Sequence, residues 1–273
     1  MRQFVCAASP NSKGLLEITG KDFHYLRKVL RKAAGDMISL SLPGGGQQEA
    51  TICKVDDGAK KITLQVCDSQ GENPSQAKNH SQAQNVAAQN CSQAQNVRAS
   101  RTQLALLQFI PKPQKMELIV RQATECGVSA IVPVIGEYTQ AGFEKALQKS
   151  DRFEKIIREA RQQSGSQVET KFFPPQKLSA ALDLVDQIAP NALKIFLYER
   201  TEGTQAFGGA VSGYGDAPSA CVYAVGCEGG ISPAEANLLL ARGFKGVHFN
   251  TNILRCETAS LYAAAAIQSA LDN

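Results

Sequence analysis

Two loops near the carboxyl end, the first marked by glycines and the second preceded by Gly246, hold the residue types best suited to chemistry: VGCEGGIS (Val225–Ser232) and FNTNILRCETAS (Phe249–Ser260). Each follows a short apolar run and leads into a helical pattern, so each reads as the loop of a strand–loop–helix unit. Ligands of open α/β sheets bind beyond the carboxyl ends of the strands, where two such loops on neighbouring parallel strands would meet. Gly226, Gly229 and Gly230 would let bare backbone approach a flat or charged ligand. A branched side chain at Gly229 is expected to fill space that belongs to that ligand. Taken singly, each glycine is as well explained by a tight turn; two loops in tandem favour the ligand. No GK[ST] follows a glycine loop and no GxGxxG opens a βαβ unit, so neither loop is a familiar nucleotide fingerprint. The second loop also carries Arg255 and Glu257, although an acid in the first turn of a helix is favoured by the helix dipole whether or not it does chemistry. His24 and His248 stand alone, as packing histidines do, and no cysteine has a nucleophile's neighbours.

Those loops need a scaffold. Residues 101–273 alternate strand and helix: LALLQFIP, a helix from about Lys115, AIVPVIG, a helix from about Asp151, KIFLYE, VYAVG, a helix from Pro233, GVHFN and an Ala-rich helix from about Glu257. This alternation predicts an α/β domain with a mostly parallel sheet. Residues 1–68 read instead as a small β-rich domain, with FVCAAS, LLEIT, MISLSLPGGG, EATICKV and KITLQVCD as short strands between Gly, Pro and Asp turns. One helix interrupts them: in DFHYLRKVLRKAAG, Phe23, Leu26, Val29 and Leu30 form a buried stripe, Asp22 caps the start and Gly35 ends it. Between the domains, residues 69–100 are rich in Gln, Asn, Ser and Ala, with SQAQNV repeated at a spacing of eleven. That segment lacks an apolar stripe and is expected to be a flexible insertion without chemistry.

Composition bounds the class. A chain of 273 residues, 43% hydrophobic, is long enough for two domains. The formal charge of +4 does not by itself announce a nucleic-acid partner, but charge is concentrated: Lys21, Arg27, Lys28, Arg31 and Lys32 face a single nearby acid, Asp22. Eight cysteines are scattered without a CxxC pair, which fits a reduced compartment better than a disulfide framework and implies no metal site. Cys53, Cys126 and Cys221 lie in apolar runs and are expected to be buried. The apolar patch of the amino-terminal MRQFVCAASP is much shorter than a secretory core, and no run is long enough to span a bilayer, so the expectation is a cytoplasmic protein with no membrane partner.

VGCEGGISPAE followed by NILRCETASLYAAAA resembles the paired GPEGG and LRxETA loops of the 16S rRNA uracil-N3 methyltransferases, of the SPOUT superfamily. KPQKMELIVRQATECGVSAIVPV (Lys112–Val134), RFEKIIREARQQSG (Arg152–Gly165) and HYLRKVLRKAAGD (His24–Asp36) are similar to that family's segments in the same order. Cys227, Asn250 and Asn252 depart from residues usual there. The resemblance implies an α/β SPOUT domain over residues 101–273, with a mostly parallel sheet and a deep carboxyl-terminal trefoil knot. It also implies a β-barrel-like, PUA-like RNA-binding domain over 1–68, and a homodimer whose interface lies beside the ligand loops. The implied activity is methylation of N3 of a specific uridine in 16S rRNA of the small ribosomal subunit, with S-adenosyl-L-methionine as cofactor and no metal. Three loops would hold the cofactor: Leu197, Tyr198 and Glu199; Gly226, Glu228, Gly229 and Gly230; and Phe249, Asn250, Ile253 and Leu254. Arg255 would orient the uracil carbonyls or offset the imide anion, Glu257 would position it or accept a proton, and Glu228 would bind ribose hydroxyls or brace its loop. Lys21, Arg27, Lys28, Arg31 and Lys32 would meet RNA.

Two other readings compete. One is a ribose 2′-O methyltransferase of the same superfamily, against which the basic β domain joined to LRCETAS argues. The other is an RNA-binding ribosome-assembly protein whose cofactor pocket has decayed, which the three departures motivate.

Overall fold

The computed structural model of the protein describes residues 4–6, 8–43, 47–66, 102–147, 150–199, 203–211 and 218–271. These fall into two compact units, one comprising residues up to Val66 together with Arg161–Glu169, the other the remainder. The expected insertion at 69–100 lies outside the described residues. Arg161–Glu169, expected in the second domain, group with the first unit instead.

The first unit is a five-stranded sheet of β1 (Phe4–Val5), β2 (Leu15–Thr19), β3 (Met37–Ser41), β4 (Gln47–Asp56) and β5 (Lys61–Val66), ordered β1-β3-β4-β5-β2. Only the β1–β3 pairing is parallel. Leu16 and Ile18, Ile38 and Leu40, and Ile62 and Leu64 alternate with exposed or half-buried positions or close on one another to form its core. Ala50 and Ile52 of β4 point into that core, so Cys53 falls on the opposite face and is exposed rather than buried as its apolar neighbours suggested; the register shift between Ile52 and Lys54 falls there.

Helix α1 (Gly20–His24) continues as a π-helical turn over Tyr25–Val29. It therefore starts at Gly20 after Thr19, without an Asp22 cap, and stops before Gly35. Leu30 N–H bonds to the Tyr25 carbonyl and Lys32 N–H to that of Leu26, both wider than an α-helical step. The widened turn rotates Val29 away from the core, where it is 60% exposed, while Phe23 and Leu26 remain buried. Arg31 follows with φ of 53°, in the left-handed region.

The second unit is an eight-stranded, wholly parallel sheet. In chain order it contains β6 (Gln103–Phe109), α2 (Pro113–Glu125), β7 (Val128–Ile135), α3 (Phe143–Leu147), α4 (Ser150–Ser164), β8 (Lys171–Phe172), β9 (Gln176–Lys177) and α5 (Leu178–Ile188). There follow β10 (Leu193–Leu197), β11 (Gln205–Ala206), α6 (Phe207–Val211), β12 (Ala220–Val225), α7 (Pro233–Ala241), β13 (Lys245–His248) and α8 (Cys256–Leu271). The order is β11-β13-β10-β12-β6-β7-β8, with β9 also on β7. Helices cover both faces, which is why a central strand such as ACVYAV is buried at every position. Two apolar clusters result, one holding Met116, Ile119 and Ile267, the other Leu182, Val185 and Leu239. No helix among the described residues is long and apolar enough to cross a membrane.

Candidate active site

The loops Val225–Ser232 and Phe249–Ser260 do not follow neighbouring strands. β10 lies between β13 and β12, so the loop after β10 sits between them and three adjacent carboxyl ends carry the site. They enclose a cavity of about 340 Å³, within the size range of small-molecule sites. Leu197, Tyr198 and Glu199 line it from the first loop, Gly226, Glu228, Gly229 and Gly230 from the second, and Phe249, Ile253 and Leu254 from the third. Asn250 is exposed and lies outside the lining, while Thr251 and Asn252 contribute instead. The Tyr198 N–H donates to the Val247 carbonyl at 3.0 Å, seaming the first loop to the third.

Close packing of main chain builds the second loop. A Cβ on Gly226 would lie 2.6 Å from the Gly230 carbonyl carbon, and Gly230 itself has φ of 79°; Gly230 N–H closes the turn onto the Cys227 carbonyl at 3.0 Å. Glycine at both positions is required by contact and conformation together. Gly229 differs from expectation, since a Cβ there would meet the Tyr138 side chain at 2.8 Å. The space above Gly229 is taken by the protein rather than reserved for a ligand. Gly226→Ala is therefore the sharper variant: forcing Gly226 and Gly230 apart should weaken cofactor binding by about tenfold or more, roughly 1.4 kcal/mol, in calorimetric titration. An unchanged titration curve would mean that the turn yields.

Two further anchors hold this loop. Ser232 and Glu235 form a reciprocal capping box at the start of α7, Ser232 N–H donating to Glu235 Oε2 at 2.8 Å and Glu235 N–H to Ser232 Oγ at 3.3 Å. Glu235 Oε1 also accepts from the Glu137 N–H at 2.7 Å, tying in the loop after β7. Beneath, the fully buried Gln108 of β6 donates through Nε2 to the Phe109 carbonyl at 2.9 Å and reaches the Gly226 carbonyl at 3.2 Å. Its Oε1 accepts from Ser260 Oγ of α8 at 2.6 Å.

Glu257 and Glu228 meet through a residue that sequence reasoning passed over. Lys115, in the first turn of α2, lies 3.4 Å from Glu228 Oε1 and 3.3 Å from Glu257 Oε2. Glu228 also accepts from the Lys112 N–H at 3.2 Å, and the Cys256 thiol donates to Glu257 Oε2 at 3.2 Å. Burial alone would raise the Glu257 pKa, but its own backbone N–H, the Cys256 thiol and Lys115 hold it below the usual carboxylate range. The same burial, with Glu257 beside it, pushes the Cys256 thiol up to about 12, so it is no nucleophile. Arg255 is exposed and outside the cavity lining; its carbonyl accepts from the Ala259 N–H at 2.7 Å, and its guanidinium has no hydrogen bond or ion pair among the described residues. His248 also lines the cavity, and its Nδ1 shares a 2.9 Å hydrogen bond with Thr204 Oγ1.

Residues 98–268 match the RNA methyltransferase domain family. The chain belongs to that family. Ribosomal RNA small subunit methyltransferase E of Synechocystis sp. is 26% identical over 273 residues, covering 99% of this chain and 78% of that protein. The protein of that name from Aquifex aeolicus is 34% identical over 146 residues, 53% of this chain and 58% of the relative. A solved structure of ribosomal RNA small subunit methyltransferase E from Neisseria gonorrhoeae, bound to S-adenosyl methionine, has a TM-score of 0.72 at 23% identity, covering 98% of this chain and 97% of the other. At that identity the likeness concerns the fold, and the expected α/β domain with a mostly parallel sheet is the one observed.

The basic residues expected to meet RNA lie in the first unit. Lys21, Lys28 and Arg31 are exposed. Arg27 is not free in the same way: its Nε and Nη2 donate to the two oxygens of Asp57 at 3.0 Å each, a bidentate pair. Lys32 is half-buried and donates to the Met37 carbonyl at 3.1 Å. The five residues thus divide into three that project and two engaged by the fold.

Proposed function

We propose that this protein transfers a methyl group from S-adenosyl-L-methionine to N3 of a uridine in 16S rRNA of the small ribosomal subunit. The observation carrying this reading is a cavity built by three loops on adjacent strand ends in a chain of the RNA methyltransferase family. The cavity suits the cofactor: main chain at Gly226 and Gly230 offers close approach, Leu197, Ile253 and Leu254 offer aliphatic faces for a flat base, and the exposed Glu199 offers a carboxylate to a cationic ligand. When bound, S-adenosylmethionine supplies an electrophilic methyl group.

The chain's own residues supply orientation and charge. The guanidinium of Arg255, exposed in the third loop, would hold two acceptor atoms of a uracil entering from solvent. A carboxylate held below its usual range is a poor acceptor for the proton of a weakly acidic imide, so Glu257 serves by position, and Glu228, engaged by Lys115 and Lys112, braces its loop. Lys21, Lys28 and Arg31 would meet RNA phosphates. The same reading makes residues 1–68 an RNA-binding domain and residues 101–273 the methyltransferase domain of a cytoplasmic protein. A homodimer is supported by the solvent side of α8, where Thr258, Tyr262, Ala265, Ser269 and Ala270 present no charge. Tyr262 there packs edge-on against Phe249 of the cavity, with ring centroids 4.7 Å apart.

The direct test is methyl transfer from labelled S-adenosylmethionine to small subunits lacking the modification, followed by nucleoside mass spectrometry. 3-Methyluridine should appear in 16S rRNA. A 2′-O-methylated nucleoside, or no transfer despite cofactor binding, would overturn the reading in favour of one of its competitors.

A further inference from the structure

Lys115 stands where helix electrostatics would not place a cation. It occupies the third position of α2, at the positive end of the helix dipole, with no acidic residue in that first turn to offset it. Its environment comes from elsewhere in the chain. Glu228 reaches it from the loop after β12 and Glu257 from the first turn of α8, at 3.4 and 3.3 Å, and the Cys256 sulfur lies 4.0 Å away. The three charged side chains are only 26%, 34% and 15% exposed for Lys115, Glu228 and Glu257, so their interaction is less screened than that of a surface pair. Burial works against the ammonium charge, yet Cys256, Glu257 and Glu228 together raise the Lys115 pKa.

Both carboxylates belong to segments that shape the cavity: Glu228 lines it, and Glu257 follows Cys256, which also lines it. One cation therefore holds two separate walls of the site, each of which would otherwise bring a like charge toward the other. We infer that Lys115 is a positioning residue whose ammonium clamps the loop after β12 to the start of α8 and so sets the shape of the cofactor cavity. It acts through Glu228 and Glu257 and touches no reacting atom. This inference rests on the proposed cofactor role of the cavity.

The test is calorimetric titration of the full chain with S-adenosylmethionine at two pH values. Wild type sets the reference affinity at each pH, with Glu257 ionised at both because its pKa lies below the usual carboxylate range. Lys115→Met should raise Kd about tenfold at the higher pH. The deficit should shrink as pH falls, since Glu257, half-buried and no longer held down by Lys115, then takes up a proton and ceases to repel its neighbour. The groups facing this cluster are Lys115 from α2, Glu228 from its loop, and Cys256 and Glu257 from α8; with the thiol at about 12, it stays protonated across the window. Lys115→Arg should stay near wild type, and adding Glu257→Gln to Lys115→Met should recover most of the affinity.

No binding by wild type would overturn the cofactor reading and this inference with it. Wild-type binding matched by Lys115→Met would overturn the clamp alone. A loss that is equal at both pH values and not rescued by Glu257→Gln would also overturn it, since mere packing by the lysine stem predicts that pattern. Should Lys115→Met fail to fold by circular dichroism, Glu228→Gln carries the same test, and a Kd within about twofold of wild type there would overturn the clamp.

Discussion

Arg255→Lys should lower single-turnover methylation of small subunits about a hundredfold at saturating S-adenosylmethionine while leaving cofactor Kd near wild type. The substitution keeps the positive charge and discards the planar fork. Loss of one preorganised donor of this kind costs roughly 2.7–4 kcal/mol of barrier, and each 1.36 kcal/mol is tenfold in rate. The structure sharpens the expectation, because Arg255 is exposed and outside the cavity lining, and its guanidinium has no partner among the described residues. A guanidinium that braced the loop would show bonds to it, and among the described residues only the Arg255 carbonyl is engaged, by the Ala259 N–H. A lysine variant within about threefold of wild type, under 1 kcal/mol, would remove Arg255 from the chemistry.

Gln108→Leu should produce the largest loss of stability. Leucine fits the volume but leaves the Phe109 and Gly226 carbonyls without the amide donor that now reaches them. Each buried acceptor left unpaired costs about 1–3 kcal/mol, so a destabilisation of about 2–4 kcal/mol and a fall of roughly 5–15 °C in Tm are expected. Ser260→Ala should cost less, about 1 kcal/mol, because it removes a hydroxyl whose partner Gln108 retains its other bonds. A Tm change under about 2 °C for Gln108→Leu would show that the carbonyls find other donors.

Several parts of the molecule were legible in the sequence because their signals are local. Buried parallel strands read as unbroken apolar runs, as ACVYAV does, and the glycines at 226 and 230 mark a turn that contact and φ both demand. The parts that escaped depend on distant partners. Lys115 looks like one more helix-surface lysine until Glu228 and Glu257 are brought to it, and Arg27 looks like a free basic residue until Asp57 engages it. Glu257 was read correctly as a first-turn acid, but its hold on Lys115 was not. Val29 was misplaced by a widened helical turn, which breaks the periodicity on which such reading rests, and Cys53 because its apolar neighbours in the run face the other side of the strand. Helix α5 carries Leu178, Ala181, Leu182 and Val185 at helical spacing; the two-residue strands before it leave no pattern to mark where it begins.

The pairing of β6 with β12 has a kinetic meaning. Gln103 lies against Ala220 and Gln108 against Val225, so the central ladder of the sheet joins segments with much of the chain between them. Closing so long a loop is an entropic barrier that must be crossed before any of those contacts is gained, which slows folding of sheets built this way. The turn at Gly226–Gly230 hangs directly from the end of β12, and Gln108 holds it from β6. A chain still leaving the ribosome has α2 and β7 available early but lacks this junction until its carboxyl-terminal segments arrive. The cavity is consequently a late product of folding, and an immature chain carries the first unit's basic residues without a competent place for the methyl donor.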